Sequence, residues 1–518
     1  MRRVLCILAA LAVAGASSAA RQPPPFDILI IGARVLDGSG NPWRRADIGI
    51  RGDRIVAMGD LSGAGAATII DATDRYVAPG FIDVHSHAAG ALAGTQRREA
   101  RPLLAQGVTT IVANPDGGGP VNLAGQAKQL MDAGPGVNVA LLIGHASVRN
   151  AVMGSSQRRD PRPDELQEMR ALVRQARADG AFGLSSGLFY QPGRFAKTEE
   201  VIVLAREAGG VYTSHIRDEG SYDVGVVNSV NEVIRIAEEA GVRGIVTHIK
   251  CLGPDNWGTS KTLVANIDAA RARGVQVFAD QYPYGASSTS LGAATMPNDG
   301  AASAREAMAN DVARQTFLAM VRENIRRRGG AKSIVMVSGR GVAGLTGQNL
   351  EQIAGARQVT PEQAAVDIVI AGGASIISFN MSEDDIETIL RQPWTMGSSD
   401  GDLTAPSPTL IHPRNNGAMA RRLSRYVRER GTVSLEQAVR AMTSLPAHVF
   451  GFADRGEIRA GAFADLVVFD LNKVQDRATY ETPHVLAEGF DWVIVNGQIA
   501  RRDGAFTGAR AGRVLTRR

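Results

Sequence analysis

Cysteine is almost missing from this sequence of 518 residues, which holds only Cys6 and Cys251. Because Cys6 falls in an N-terminal leader, export leaves a single thiol and excludes an internal disulfide. No cysteine follows the leader at the usual lipid-attachment place. Aromatic residues make up only 5% of the chain. The arginines are scattered, often beside acids as in Arg206-Glu207, with small clusters only at Arg326 to Arg328 and at Arg517-Arg518. A net charge of +5 would by itself suit an anionic partner. Without basic stripes or stacking rings, no nucleic-acid binding is expected. Long apolar runs are scarce too: the one from Val4 to Ala14 falls short of the roughly 20 residues a membrane span needs, so no stable membrane insertion is expected. The chain has no internal repeat and no long charged tract, and 44% hydrophobic residues suit a folded globular protein.

What is present begins at the N-terminus. Arg2 and Arg3 precede that apolar run, and small residues continue to Ala20, the pattern of a signal peptide over residues 1–20. A periplasmic or secreted location follows. Residues 21–77 read as short β runs broken by turns at Asp37-Gly38 and Gly52-Asp53. Similar runs return within 455–518, around Ala464 to Asp470 and Trp492 to Gly497, so the two termini are expected to complete one sheet structure. Over 78–454, short apolar runs alternate with helical stretches, the signature of a parallel α/β architecture. Strands are expected at 77–87, 108–116, 137–143, 181–186, 210–217, 244–250, 275–284 and 395–400. Eight such strands point to a TIM-type (β/α)8 barrel with its site at their C-terminal ends. The stretch from Tyr284 to Thr395 is too long for one connection, so an inserted subdomain is expected over about 286–330, as a lid or as passive surface.

In a strand, side chains alternate, so Asp83, His85 and His87 share one face. Two imidazoles at one strand end offer a pair of metal ligands. His215, His248 and Asp400 stand at the ends of three other expected strands. A core histidine held by backbone hydrogen bonds explains any one of these, but not four histidines and an aspartate converging by topology.

The run Ala78-Pro-Gly-Phe-Ile-Asp-Val-His-Ser-His87 resembles the opening motif of the amidohydrolase superfamily. Ser185 to Tyr190, Ser214-His-Ile-Arg-Asp-Glu-Gly220, His248-Ile-Lys250, Asp280-Gln-Tyr-Pro-Tyr284, Ser399-Asp-Gly401 and His412-Pro-Arg414 are similar to its D-aminoacylase (N-acyl-D-amino-acid deacylase) branch. The resemblance spans nearly the whole mature chain. It implies a barrel with a small β-sandwich built from both termini, and a site for one or two Zn2+ ions. One departure stands out. The branch usually presents a cysteine ligand after the second barrel strand, whereas Val108 to Gly117 contains no thiol. Aligning on the following glycine puts Asp116 in that place; aligning on Asn114 puts Pro115 there. A carboxylate is harder than a thiolate and widens the range of divalent metals accepted. Asp116 has a second reading as the turn residue before Gly117 to Gly119.

On this reading the metal ligands are His85, His87, Asp116, His215, His248 and Asp400. His215, His248 and Asp116 hold the essential ion, while His85 and His87 with Asp400 hold a second or orient the first. The metal acidifies water and polarises the amide carbonyl. Asp400 is the expected general base, later protonating the departing amine. Lys250 and Arg414 are expected to clamp the substrate carboxylate, with Tyr282 donating a hydrogen bond beside them. The expected substrate is a small N-acylated D-amino acid. The alternatives are a dipeptide with a C-terminal D-residue, a cyclic amide, or no reaction at all in a binding protein on the same fold.

Overall fold

A computed structural model describes residues 25–517 apart from 155–157, 298–299, 340 and 406–408. The expected leader, residues 1–20, lies outside the described residues. Alternating apolar positions at both ends of the chain pair into one nine-stranded sheet. Phe26–Val35 runs antiparallel to Arg44–Arg51, Ile28 facing Ile50 and Ile30 facing Ile48. Tyr76–Pro79 takes Leu466–Phe469 as its antiparallel neighbour, so the C-terminal strands continue the sheet that the N-terminal ones begin. Ile28, Ile30, Ile48, Ile50, Leu466 and Val468 bury their side chains in one cluster, as the two-residue period of a strand requires.

Between the termini lie the strands that carry the site: Phe81–Asp83, Val108–Ala113, Asn138–Leu141 with Ile143–Gly144, Gly183–Gly187, Val211–His215, Arg243–Val246, Val277–Gln281 and Thr395–Gly397. Each pairs in parallel with the next. A parallel bridge between Ser86 and Gly401 joins the last exit to the first. Hydrogen bonds from His87 N to Gly401 O (2.8 Å) and from Asp400 N to His85 O (2.9 Å) flank it. The strands are buried on both faces, which is why they read as continuous apolar or small runs. Helices separate them, as in other α/β proteins. Val226–Ala240, for example, buries Val226, Val230, Val233, Ile234 and Ala237 at helical spacing. It ends where Gly241 turns left-handed at φ 69°.

Three features differ from expectation. The run 77–87 divides into Tyr76–Pro79, in the nine-stranded sheet, and Phe81–Asp83, among the parallel strands, with His85 and His87 beyond the end of the second. The two strands part at Gly80, where a side chain would collide with Thr109. The inserted region outruns 286–330, because Ala286–Ser290 pairs with Ala374–Phe379, which in turn pairs with Ile334–Gly339. It has a core of its own around Leu291, Phe317, Val321, Leu350 and Ile376. Near the C-terminus, Val514–Leu515 adds a short parallel strand beside Asn138–Leu141. Among the described residues no helix is long and apolar enough to cross a membrane.

Candidate metal centre

The site residues sit where the chain leaves the parallel strands, and several do so in the left-handed region that costs a non-glycine residue roughly 1–2 kcal/mol. Asn114 (φ 62°), Asp116 (56°), His248 (35°) and Asp400 (48°) are all held this way. Asp116 lies at the centre. Its Oδ2 is 3.4 Å from Nε2 of both His85 and His87, and its Oδ1 is 4.0 Å from His215 Nδ1 and 3.7 Å from His248 Nε2. Asp400 Oδ1 lies 3.5 Å from His85 Nε2 and 3.2 Å from His87 Nε2. The side chains form two clusters, His85–His87–Asp116–Asp400 and Asp116–His215–His248, in each of which the ligand atoms lie within 4.8 Å of one another. Asp116 belongs to both.

Apart from the 3.2 Å hydrogen bond between His87 Nε2 and Asp400 Oδ1, these spacings are long for hydrogen bonds, and all suit ligands around an ion: a tetrahedral site with bonds near 2.0–2.1 Å separates its ligands by roughly 3.3 Å. The unmet valences agree. Both ring nitrogens of His85, both of His215 and Oδ1 of Asp116 are buried without a hydrogen-bond partner. Each such group left alone costs about 1–3 kcal/mol. A cation in the first cluster would satisfy one nitrogen of His85, a cation in the second one nitrogen of His215, and either could be reached by Asp116. The residues present therefore fit one or two metal ions.

The electrostatics favour positive charge. Burial and the Lys250 ammonium pull the His248 imidazole down, but Asp116 and Glu219 outweigh them and raise it to about 9. At His87 burial is likewise overcome, by Asp116 and Asp400, giving about 10. At His215 burial prevails and the ring falls to about 4. Burial would push the Asp116 carboxyl up, yet the surrounding imidazoles hold it well below its ordinary range.

Glu219 is the functional residue that sequence reasoning passed over. Its Oε1 lies 3.0 Å from His248 Nδ1 and also pairs with Lys250. The Lys250 ammonium lies 2.8 Å from the same Nδ1, so Glu219 and Lys250 together contact this edge of the ring and leave Nε2 toward Asp116. Its only sequence signal is its place four residues after His215 in the 214–220 run. Asp83, also given no role, accepts hydrogen bonds from His85 N, Ser399 N and Ser399 Oγ, tying the first exit to the last.

The profile of the amidohydrolase family matches residues 68–501. A D-aminoacylase of Alcaligenes xylosoxydans xylosoxydans is 38% identical over 95% of this chain and 98% of its own length. The crystal structure of the N-acyl-D-glutamate deacylase of Bordetella bronchiseptica, complexed with zinc and a phosphonate mimic of the tetrahedral intermediate, is 36% identical. It superimposes with a TM-score of 0.80 over 95% of this chain and 99% of that one. The chain belongs to the amidohydrolase family, in its D-aminoacylase branch. A D-aminoacylase structure from a study of its binuclear metal centre is similarly close, at 37% identity and a TM-score of 0.81 over 95% of this chain and all of that one.

In this amidohydrolase the metal clusters open into a cavity of about 350 Å3. Lys250, Tyr282 and Arg414, the three residues given a substrate-binding role from the sequence, are among those that line it. Both cations already have acidic partners: Lys250 has Glu219, and Arg414 Nη1 lies 2.7 Å from Asp400 Oδ2. The Tyr282 ring lies 4.7 Å from the Arg414 guanidinium and 5.5 Å from Lys250 Nζ, and its hydroxyl has no hydrogen-bond partner. His145 bonds Glu200 at 2.8 Å and takes no part in the metal clusters.

Proposed function

We propose that this protein hydrolyses the amide bond of N-acyl-D-amino acids, releasing a carboxylic acid and a D-amino acid, with Zn2+ as its metal. The observation that carries this reading is the pair of clusters sharing Asp116 at the floor of a cavity whose wall holds Lys250 and Arg414. Membership of a branch whose known relatives act on such amides supports it.

In this reading His215, His248 and Asp116 hold the essential ion, while His85, His87 and Asp400 provide a second position. A divalent ion there supplies Lewis acidity toward the scissile carbonyl and toward water. Asp400 is kept ionised, because burial, which would raise its carboxyl, is outweighed by Arg414 and the neighbouring imidazoles. Its Oδ1 takes a proton from the attacking water and passes it to the leaving amine. Arg414 fixes the other carboxylate oxygen, so the base stays aimed. Glu219 and Lys250 orient the His248 ring through its Nδ1 edge. Lys250, Arg414 and Tyr282 receive the substrate carboxylate.

The parallel strands are read as a closed (β/α)8 barrel within 78–454, a reading supported by the Ser86–Gly401 bridge. The strands of 21–77 and 455–518 are read as one β-sandwich. Removal of residues 1–20 on export to the periplasm or medium is part of the same proposal, checked by sequencing the N-terminus of the exported protein.

The test is hydrolysis of N-acetyl-D-amino acids, N-acetyl-L-amino acids and dipeptides by the zinc-loaded protein after metal analysis. Turnover of the N-acetyl-D-amino acids is expected. Turnover of L substrates alone, or of none, would overturn the reading.

A further inference from the structure

Three cations line the cavity, and two are matched by acids of the protein itself. The third is Arg328, which caps the C-terminus of the helix Asp311–Arg327 in the inserted region. It is only 2% exposed. Its Nη1 donates to Ser378 Oγ at 3.2 Å, and its Nε has no hydrogen-bond partner. The Tyr222 ring lies 5.9 Å from the guanidinium. Among the described residues no carboxylate forms an ion pair with it, in contrast to Lys250 with Glu219 and Arg414 with Asp400.

A guanidinium withdrawn from water without an anion is costly, because arginine keeps its charge at any accessible pH. The inserted region gives this cation a polar setting. Ser378 lies cross-strand from Ser287, and Ser287 to Ser290 line the cavity with hydroxyls. Thr289 is itself 3.2 Å from the Tyr190 hydroxyl. Such a wall offers little to an aliphatic side chain and much to an anion.

We infer that Arg328 binds a second carboxylate, carried by the side chain of the substrate, so that the preferred substrates are N-acyl-D-amino acids with acidic side chains. This rests on the deacylase reading above and assigns its specificity to a residue outside the metal centre. The main-chain carboxylate stays with Lys250, Arg414 and Tyr282, near the scissile amide. The side-chain carboxylate reaches the inserted region and forms the paired guanidinium–carboxylate contact that arginine geometry favours.

The test compares isosteric pairs on the zinc-loaded full-length protein: N-acetyl-D-glutamate with N-acetyl-D-glutamine, and N-acetyl-D-aspartate with N-acetyl-D-asparagine. The acid of at least one pair is expected to exceed its amide in kcat/KM by about 100-fold. Arg328→Met is expected to bring that ratio within a few-fold of one, with Arg328→Lys intermediate. The ratio in the unaltered protein decides the matter even if Arg328→Met fails to fold. Hydrolysis of the amides as fast as the acids overturns the inference and leaves the deacylase reading standing. An Arg328→Met protein that slows acid and amide in equal proportion also overturns it, since Arg328 would then serve the main-chain carboxylate or the fold. No turnover of any N-acetyl-D-amino acid overturns both.

Discussion

Asp116 is where the two halves of the metal centre meet, and it can do so only because its two oxygens face different histidine pairs. A thiolate has one ligand atom; a carboxylate has two, and so spans the gap between the clusters at 3.4–4.0 Å without needing to sit midway. Glu219 acts one step further out, through its contacts with His248 Nδ1 and with Lys250. Glu219→Gln removes the acceptor charge while keeping the shape, and is expected to weaken metal binding about 10–100-fold. Competition with a chromophoric chelator measures this directly; an affinity equal to that of the unaltered protein would detach Glu219 from the centre. The four histidines and Asp400 were legible in the sequence because each closes an apolar run. Asp116 was legible only as one of two neighbours, and Glu219 only as part of a motif, because neither belongs to a strand whose period would orient it.

The strand exits are shaped by their glycines as much as by their ligands. The loop after Val108–Ala113 lies directly against the end of Gly183–Gly187, where a Cβ on Gly187 would strike the carbonyl oxygen of Asp116. Gly117, left-handed at φ 77°, returns the contact: a Cβ there would stand 3.1 Å from Gly187 N. Gly187→Ala should therefore displace the Asp116 loop while leaving the helices in place, with metal affinity falling on the order of tenfold. Elemental analysis of the purified variant, alongside an unchanged far-ultraviolet circular dichroism spectrum, checks this. Full metal occupancy would show that the loop absorbs the extra methyl elsewhere. The sequence marked Gly117 to Gly119 as a turn, but not the neighbour that makes small residues necessary. The inserted region shows the same limit. Its start after Tyr284 was visible as an overlong gap between strands, yet its end was not, since the strand Ala374–Phe379 closes a sheet whose other members lie far away in sequence.

For the molecule as a whole, metal, protons and stability are linked. His248 is buried and its imidazole is raised from 6.5 to about 9, so the metal-free protein holds that proton at neutral pH. A base whose folded pKa is raised contributes stability that is fully present below about 6.5 and is lost as pH climbs through about 9. Zinc must displace the same proton, so its binding strengthens over the interval in which the metal-free protein weakens. The rise in Tm on adding zinc is accordingly expected to grow steadily from about pH 6 to about pH 9. Thermal melts with and without zinc across that range test this, and a pH-independent increment would contradict it. Taken alone, the sequence determined what is local: the two-residue and helical periods that set the elements, their parallel α/β order, and the ligand types waiting at the strand ends. Only the tertiary structure decided which ends meet. Contacts such as Ser86 with Gly401, Asp116 with His248, and Arg328 with the cavity join residues far apart in the chain, and a local period names no partner.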